Sequence, residues 1–203
     1  MNLCPSCQKI PELCVCAQIQ AQATDLHVLI LQHPQEPDHE IGSALLTHLT
    51  LPNSTLKIGL SWRNLASALG RKEANPAHWA VLYLGSGVKT EQHLEKGLYF
   101  VSQKGLPVAR PEQLEGVVIL DGTWSQAKSL WWRNAWLLKL RRAILVPRAP
   151  SLYGKLRKEP RKECLSTMES VAAVLEELGE RPEVGQHLKH LFAQLLQRRR
   201  EQK

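Results

Sequence analysis

Two stretches of this sequence carry side chains suited to chemistry. At the N-terminus, four of the five cysteines fall within sixteen residues, as Cys4-Pro5-Ser6-Cys7 and then Cys14-Val15-Cys16. Four thiolates complete the closed tetrahedral shell of a structural zinc ion, which leaves no position open to water and so holds a fold rather than activating a nucleophile. In a reducing compartment, disulfides among these residues are disfavoured and a metal is the better reading. Two pairs of redox-active or idle thiols are the alternative, since Cys-x-Cys is tighter than the common knuckle spacing. Cys164 stands alone and reads as a small, partly buried side chain.

The second stretch is Asp121-Gly122-Thr123-Trp124, which follows the apolar run Val117-Val118-Ile119-Leu120. A carboxylate at the end of a buried strand serves either as a base or as the cap of the next helix. Thr123 or Ser125 is able to cap in its place, which releases Asp121 for chemistry. Trp124, beside a glycine turn, offers a stacking surface or a core contact. Trp131, Trp132 and Trp136 are expected in the core or at a subunit contact. Two further apolar runs end in Gly85-Ser86-Gly87 and Pro147-Arg148-Ala149-Pro150. There is no P-loop and no dinucleotide fingerprint. No Ser-His-Asp or Cys-His order supports a hydrolase.

These loops need elements to position them. Apolar runs predict strands over 27–31, 57–60, 79–84, 117–120 and 143–146. Helical spacing predicts helices over 41–49, 124–138, 166–178 and 184–200. Ser166 and Glu169 form a capping box at the start of the third helix, and Gly179 closes it. Strands alternating with helices imply an α/β domain, a three-layer parallel sheet with helices on both faces. Ligands in such a sheet bind beyond the carboxyl ends of the strands. Residues 1–22 read as a cysteine-bearing appendage and 23–203 as the main domain.

The chain has 203 residues, 43% hydrophobic and 22% charged, as in ordinary soluble proteins. Its 26 Lys and Arg against 19 Asp and Glu give a net charge of +7, which points to a polyanionic partner, nucleic acid first. The 148–162 stretch, with its Pro, Gly and Tyr among cations, is expected to meet phosphates. Arg198-Arg199-Arg200 reads as a solvated helix end. No apolar run has the length of a membrane span, and the N-terminus lacks a signal-peptide layout, so a cytoplasmic location is expected.

Taken together, these residues resemble the DTW-domain family, the tRNA-uridine aminocarboxypropyltransferases. The resemblance covers almost the whole chain. It rests on the Cys4/Cys7/Cys14/Cys16 cluster, His33 with Glu36, Leu82-Tyr83-Leu84-Gly85-Ser86 and Leu120-Asp121-Gly122-Thr123-Trp124-Ser125-Gln126-Ala127. Tyr153 with Arg157 and Leu165-Ser166-Thr167-Met168-Glu169-Ser170 complete it. Two departures stand out: Ile41-Gly42-Ser43 where the family usually has an Asn-Thr pair, and Leu84-Gly85 where it often has Pro.

The resemblance implies a fold related to the SPOUT methyltransferases, with a C-terminal knot. Periodicity alone would never propose one. The implied reaction moves the 3-amino-3-carboxypropyl arm of S-adenosylmethionine to N3 of a tRNA uridine, in the variable loop, and releases methylthioadenosine. Asp121, Thr123 and Trp124 are then the catalytic residues. Leu84, Gly85, Ser86, Leu120, Gly122, Arg157, Ser166, Thr167 and Glu169 are expected to hold the co-substrate. Cys4, Cys7, Cys14 and Cys16 would hold structural zinc. Partners are tRNA and S-adenosylmethionine, with the protein a monomer or a homodimer and no membrane association. Two rivals stand beside this: a methyltransferase on the same scaffold, and a non-catalytic zinc-bearing RNA-binding or ribosome-assembly module.

Overall fold

The computed structural model describes residues 3–37, 39–82, 95–154, 156 and 165–202. Among these, seven strands form one sheet in the order β2-β1-β6-β3-β7-β4-β5. They are β1 (His27–Gln32), β2 (Ser54–Ile58), β3 (Trp79–Leu82), β4 (Gly97–Val101), β5 (Pro107–Val108), β6 (Gly116–Asp121) and β7 (Arg141–Val146). The α-helices are α1 (Ala44–Thr50), α2 (Leu65–Leu69), α3 (Trp124–Arg133), α4 (Thr167–Glu177) and α5 (Pro182–Glu201).

The five strands from β2 to β7 pair in parallel, as the continuous apolar runs predict. The sheet as a whole is mixed, which corrects the expected all-parallel arrangement. β4 runs antiparallel to β7, and β5 antiparallel to β4. A hairpin accounts for the second of these pairings. Ser102 N–H donates to the Leu106 carbonyl at 2.8 Å, and Gly105 takes φ 77° in the turn. So short a link joins antiparallel strands only, because a parallel return needs a crossover. Pro107 sits in the edge strand, where a missing N–H is tolerated.

All six residues of β1 are buried, so the sheet is covered on both faces. Val28 and Ile30 face a core shared with α1, α4 and α5, while Leu29 and Leu31 face one built from α2, α3 and residues 136–140. Each such Leu, Ile or Val contributes about 1.5–3 kcal/mol by burial. The first core also takes in Cys7, Leu13 and Val15 of the N-terminal segment.

The helix expected over 124–138 stops at Arg133. A 3₁₀ segment, Ala135–Lys139, follows. The buried side chains of this stretch are Ala127, Leu130, Trp136 and Leu137; of the residues at the expected helical spacing, Trp124, Ala127, Trp131, Ala135 and Leu138, only Ala127 is buried. Asn134, 1% exposed, breaks the helix. Its carbonyl oxygen accepts from Trp62 N–H (2.8 Å) and Trp136 Nε1–H (3.2 Å), and its amide donates to the carbonyls of Leu60 (3.0 Å) and Leu130 (2.8 Å). Of the tryptophans expected in the core or at a subunit contact, Trp136 is buried, Trp131 is half-buried and Trp132 is 76% exposed.

Candidate functional site at the carboxyl edge of the sheet

Asp121 is the last residue of β6 and lies in register with Gln32, the last residue of β1. Parallel pairing sets these side chains next to each other, and Gln32 Nε2 donates to Asp121 Oδ2 at 2.8 Å. Gln32 is 4% exposed and Asp121 half-buried. A third element closes the cluster: Thr167, the first residue of α4, donates its hydroxyl to Asp121 Oδ1. Ser43, before α1, holds α4 in place, its hydroxyl accepting the Met168 N–H at 3.2 Å. Among the described residues, Gln32 and Thr167 put a donor on each oxygen and fix the plane of the Asp121 carboxylate at the strand end.

Asp121 does not cap the helix that follows it. Thr123 does: its hydroxyl accepts Gln126 N–H at 3.4 Å, while Gln126 Oε1 accepts Thr123 N–H at 2.6 Å. The hydroxyl of Thr123 is therefore engaged with α3. Gly122 is required where the exits of β1 and β6 meet, because a Cβ there would lie 2.8 Å from Gln126 Cβ and 3.4 Å from His33 Cβ. Trp124 opens α3, half-buried. The Leu120 side chain belongs to the core on the α3 face, which leaves its backbone for the edge.

Ser166 and Glu169 form the expected capping box of α4. Glu169 is 5% exposed, and its carboxylate also reaches across to the segment after β7. Oε2 accepts from Ser166 N–H (3.0 Å) and Ser151 Oγ–H (2.8 Å), and Oε1 from Leu152 N–H (2.7 Å). Through these three donors, Glu169 positions the 151–153 turn against the start of α4. Leu84, Gly85, Ser86 and Arg157 lie outside the described residues, as do Tyr83, Gly87 and Cys164. Arg148, expected at a phosphate, is in an ion pair with Glu177 at 2.6 Å, and that partner raises its pKa.

Gln32 and Ser43 were not anticipated. Gln32 had a signal, a polar residue ending an apolar strand, but its pairing with Asp121 follows only from the strand order. The Ser43 contact spans 125 residues and left no local trace.

The cysteines meet at a second place. The sulfurs of Cys4, Cys7, Cys14 and Cys16 all lie within 4.8 Å of one another. Cys4 Sγ is 3.7 Å from Cys16 Sγ, and Cys7 Sγ is 3.8 Å from Cys14 Sγ. A zinc tetrahedron with bonds of about 2.3 Å has sulfur–sulfur edges of about 3.8 Å, whereas a disulfide needs about 2.05 Å. The geometry thus fits a metal and excludes bonded pairs. The turn is closed by Gln8, at φ 58°, whose N–H donates to the Cys4 carbonyl at 2.9 Å.

Backbone donors at Cys7 and Ser6 lower the Cys4 thiol to about 6. Burial raises Cys7 and Cys16, and the neighbouring sulfurs raise Cys16 further. Thiols that oppose each other's ionisation in this way are the donor set that a divalent cation stabilises as thiolates. Lys9, lowered to about 8 by burial, donates to the Glu40 carbonyl at 2.8 Å beside them.

The tail expected to be solvated is instead tied down. Arg198 donates to the Cys14 carbonyl, Arg199 pairs with Glu40 at 2.9 Å, and Arg200 Nη2 donates to the Leu152 carbonyl at 3.4 Å. The C-terminal turn of α5 therefore fastens the cysteine segment to the domain.

Among known proteins, the chain is 29% identical over 192 residues to a Drosophila melanogaster protein named tRNA-uridine aminocarboxypropyltransferase 2, an overlap of 92% of this chain and 70% of that one. Mus musculus and Macaca fascicularis proteins of the same name are 25% and 26% identical over 176 residues. The overlap covers 85% of this chain but only 55% of either mammalian relative. No solved structure matches. The sequence pattern of the DTW domain matches residues 1–200, and the chain belongs to the DTW domain family.

Proposed function

We propose that this chain is a tRNA-modifying transferase that moves the 3-amino-3-carboxypropyl arm of S-adenosylmethionine to N3 of a uridine. The observation that carries this reading is the Asp121 carboxylate, fixed by Gln32 and Thr167 at the carboxyl edge of the sheet, in a chain of this family. The names of the fly, mouse and macaque relatives support the same reaction.

Uridine N3 carries a proton at neutral pH, so Asp121 takes that proton as the nitrogen lone pair attacks the γ-carbon of the methionine arm. The carbon–sulfur bond breaks with its electron pair going to sulfur, so the sulfonium leaves as neutral methylthioadenosine. A nearby carboxylate also favours the cationic co-substrate. Positioning in line with the departing sulfur supplies much of the rate. Trp124 offers a ring on which the base stacks. Gly122, Thr167 and the backbone at Leu120 border the same edge, and on this reading Leu84, Gly85, Ser86 and Arg157 complete the co-substrate pocket.

In the same reading Cys4, Cys7, Cys14 and Cys16 hold one zinc ion. That ion supplies structural cross-linking of residues 1–22 onto 23–203 and no chemistry at the site. A SPOUT-related fold with a C-terminal knot belongs to the proposal too. It turns on the path of residues 157–164 into α4, outside the described residues. Among the described residues no helix is long and apolar enough to cross a membrane; a cytoplasmic location is part of the proposal.

The test is mass spectrometry of tRNA nucleosides after incubation with enzyme and S-adenosylmethionine. An aminocarboxypropyl-sized gain on uridine, with methylthioadenosine as co-product, is expected. Adenosylhomocysteine as co-product would instead make the protein a methyltransferase.

A further inference from the structure

Trp132 is 76% exposed, the most exposed of the large apolar side chains that reach the surface. It does not stand among neutral neighbours. Between Asp121 and Glu159 the sequence has no Asp or Glu at all, yet nine Lys or Arg. Along α3, Ser125, Lys128 and Trp132 are all exposed and recur at spacings of three and four, which puts them on one outward stripe. Arg133 extends it. On the neighbouring strand β7, Arg142 lies over the ring of Trp131, 5.5 Å from its centroid. The stripe begins within one turn of Asp121, and Trp132 lies about 12 Å along the helix axis from Trp124 at the usual rise per residue.

A buried face of a folding core, or the centre of a contact between two copies, is poor in lysine, and Lys128 lies in the middle of this stripe. An exposed aromatic ring on a helix whose charged side chains are all cationic has the chemistry that takes up RNA, with bases stacked on the ring and phosphates paired with the cations. We infer that the outward face of α3, centred on Trp132 with Lys128 and Arg133, is a docking surface for the tRNA body that leads the target nucleotide to Asp121. This rests on the proposed tRNA reaction and adds to it a binding surface away from the reacting atoms.

The experiment measures anisotropy of a labelled, unmodified tRNA transcript titrated with the full chain over a range of salt. It compares the parent protein with Trp132→Ala, Trp132→Phe and the pair Lys128→Ala/Arg133→Ala. Trp132→Ala is expected to weaken binding about tenfold, while Trp132→Phe, which keeps a stacking ring, stays within about twofold. The paired variant is expected to reduce the slope of log Kd against log salt by about two. Heat of S-adenosylmethionine binding should be the same in all four proteins.

Unchanged affinity and slope across the set would overturn the inference. So would a dimer that Trp132→Ala dissociates with tRNA affinity intact, since the face would then join two copies. Nucleoside analysis of the same samples separates this inference from the proposed reaction. Trp132-dependent binding without any modified uridine upholds the surface and removes the catalytic reading. Full modification with binding indifferent to Trp132 removes the surface and keeps the catalysis.

Discussion

Cys4, Cys7, Cys14 and Cys16 gather within one short stretch, whereas Asp121 draws its partners from 89 residues before it and 46 after it. Both are small polar clusters, but different forces hold them. Two tight turns bring the cysteines together, and they need only a cation to stay so. Asp121 depends on the register of β1 against β6 and on where α4 docks. A cluster of the first kind should govern stability, and one of the second kind turnover.

The largest effect that would sharpen this contrast belongs to Asp121. Asp121→Asn should lower the rate of uridine modification roughly 10²–10⁴-fold, the usual contribution of a general base. S-adenosylmethionine affinity by calorimetry should stay within a few-fold. Undiminished turnover would make the residue structural and dissolve the contrast.

The cysteine cluster should answer in the opposite sense. Chelation, or Cys7→Ser, should release bound zinc, read by metal analysis. The same change should cost about 3 kcal/mol or more, a fall in Tm of roughly 6–12 °C for a chain of this size. The transfer step itself should persist below the lowered Tm. If turnover vanishes while Tm holds, the metal takes part in the reaction.

Thr167→Val comes next. It keeps the shape of the side chain and removes one donor from the carboxylate. Hydrogen bonds to charged groups contribute about 1.5–3 kcal/mol, so kcat/KM should drop about tenfold to a hundredfold. Thr167→Ser should recover most of it. Adding Gln32→Leu should not multiply the loss in full, because both donors serve one group.

The smallest effect lies at the other end of β1. His27 is held below its ordinary value of 6.5 first by burial, with Arg71 and His48 adding repulsion against a hydrogen bond to Asn53 Oδ1 that works the other way. Burial lowers His48 as well. Imidazoles that stay neutral in the fold are protonated first in the unfolded chain. Their contribution is therefore complete above about pH 6.5 and is lost as the pH falls below it. A Tm that holds steady between about pH 6.5 and 8 and declines below pH 6.5 is expected. The decline should be shallower in His27→Gln, and it should remain in Cys7→Ser, which separates it from loss of metal.

Local pattern sufficed wherever neighbours in sequence decide the outcome. The cysteine spacing marked a cluster able to hold a metal, the capping box at Ser166 marked where α4 begins, and Thr123 was one of the caps the sequence offered for α3. Apolar runs located β1, β3, β6 and β7, because a strand buried on both faces has no room for polar alternation. Their ends were enough to single out Asp121 and Gly122.

Partners far along the chain decided the rest. Leu98-Tyr99-Phe100-Val101 drew no strand assignment from the sequence, and its antiparallel docking on β7 made the sheet mixed. Asn134 ended α3 early by binding groups from residues 60 and 62, which no helical periodicity can foretell. Asp121 was named by its position after an apolar strand, but the strand order and the placing of α4 gave it Gln32 and Thr167. Turns, caps and buried runs are settled by energies between close neighbours, and so the sequence alone determined them. Register and docking are settled by contacts among segments that meet only when the core forms, and so tertiary structure alone decided what surrounds the carboxylate.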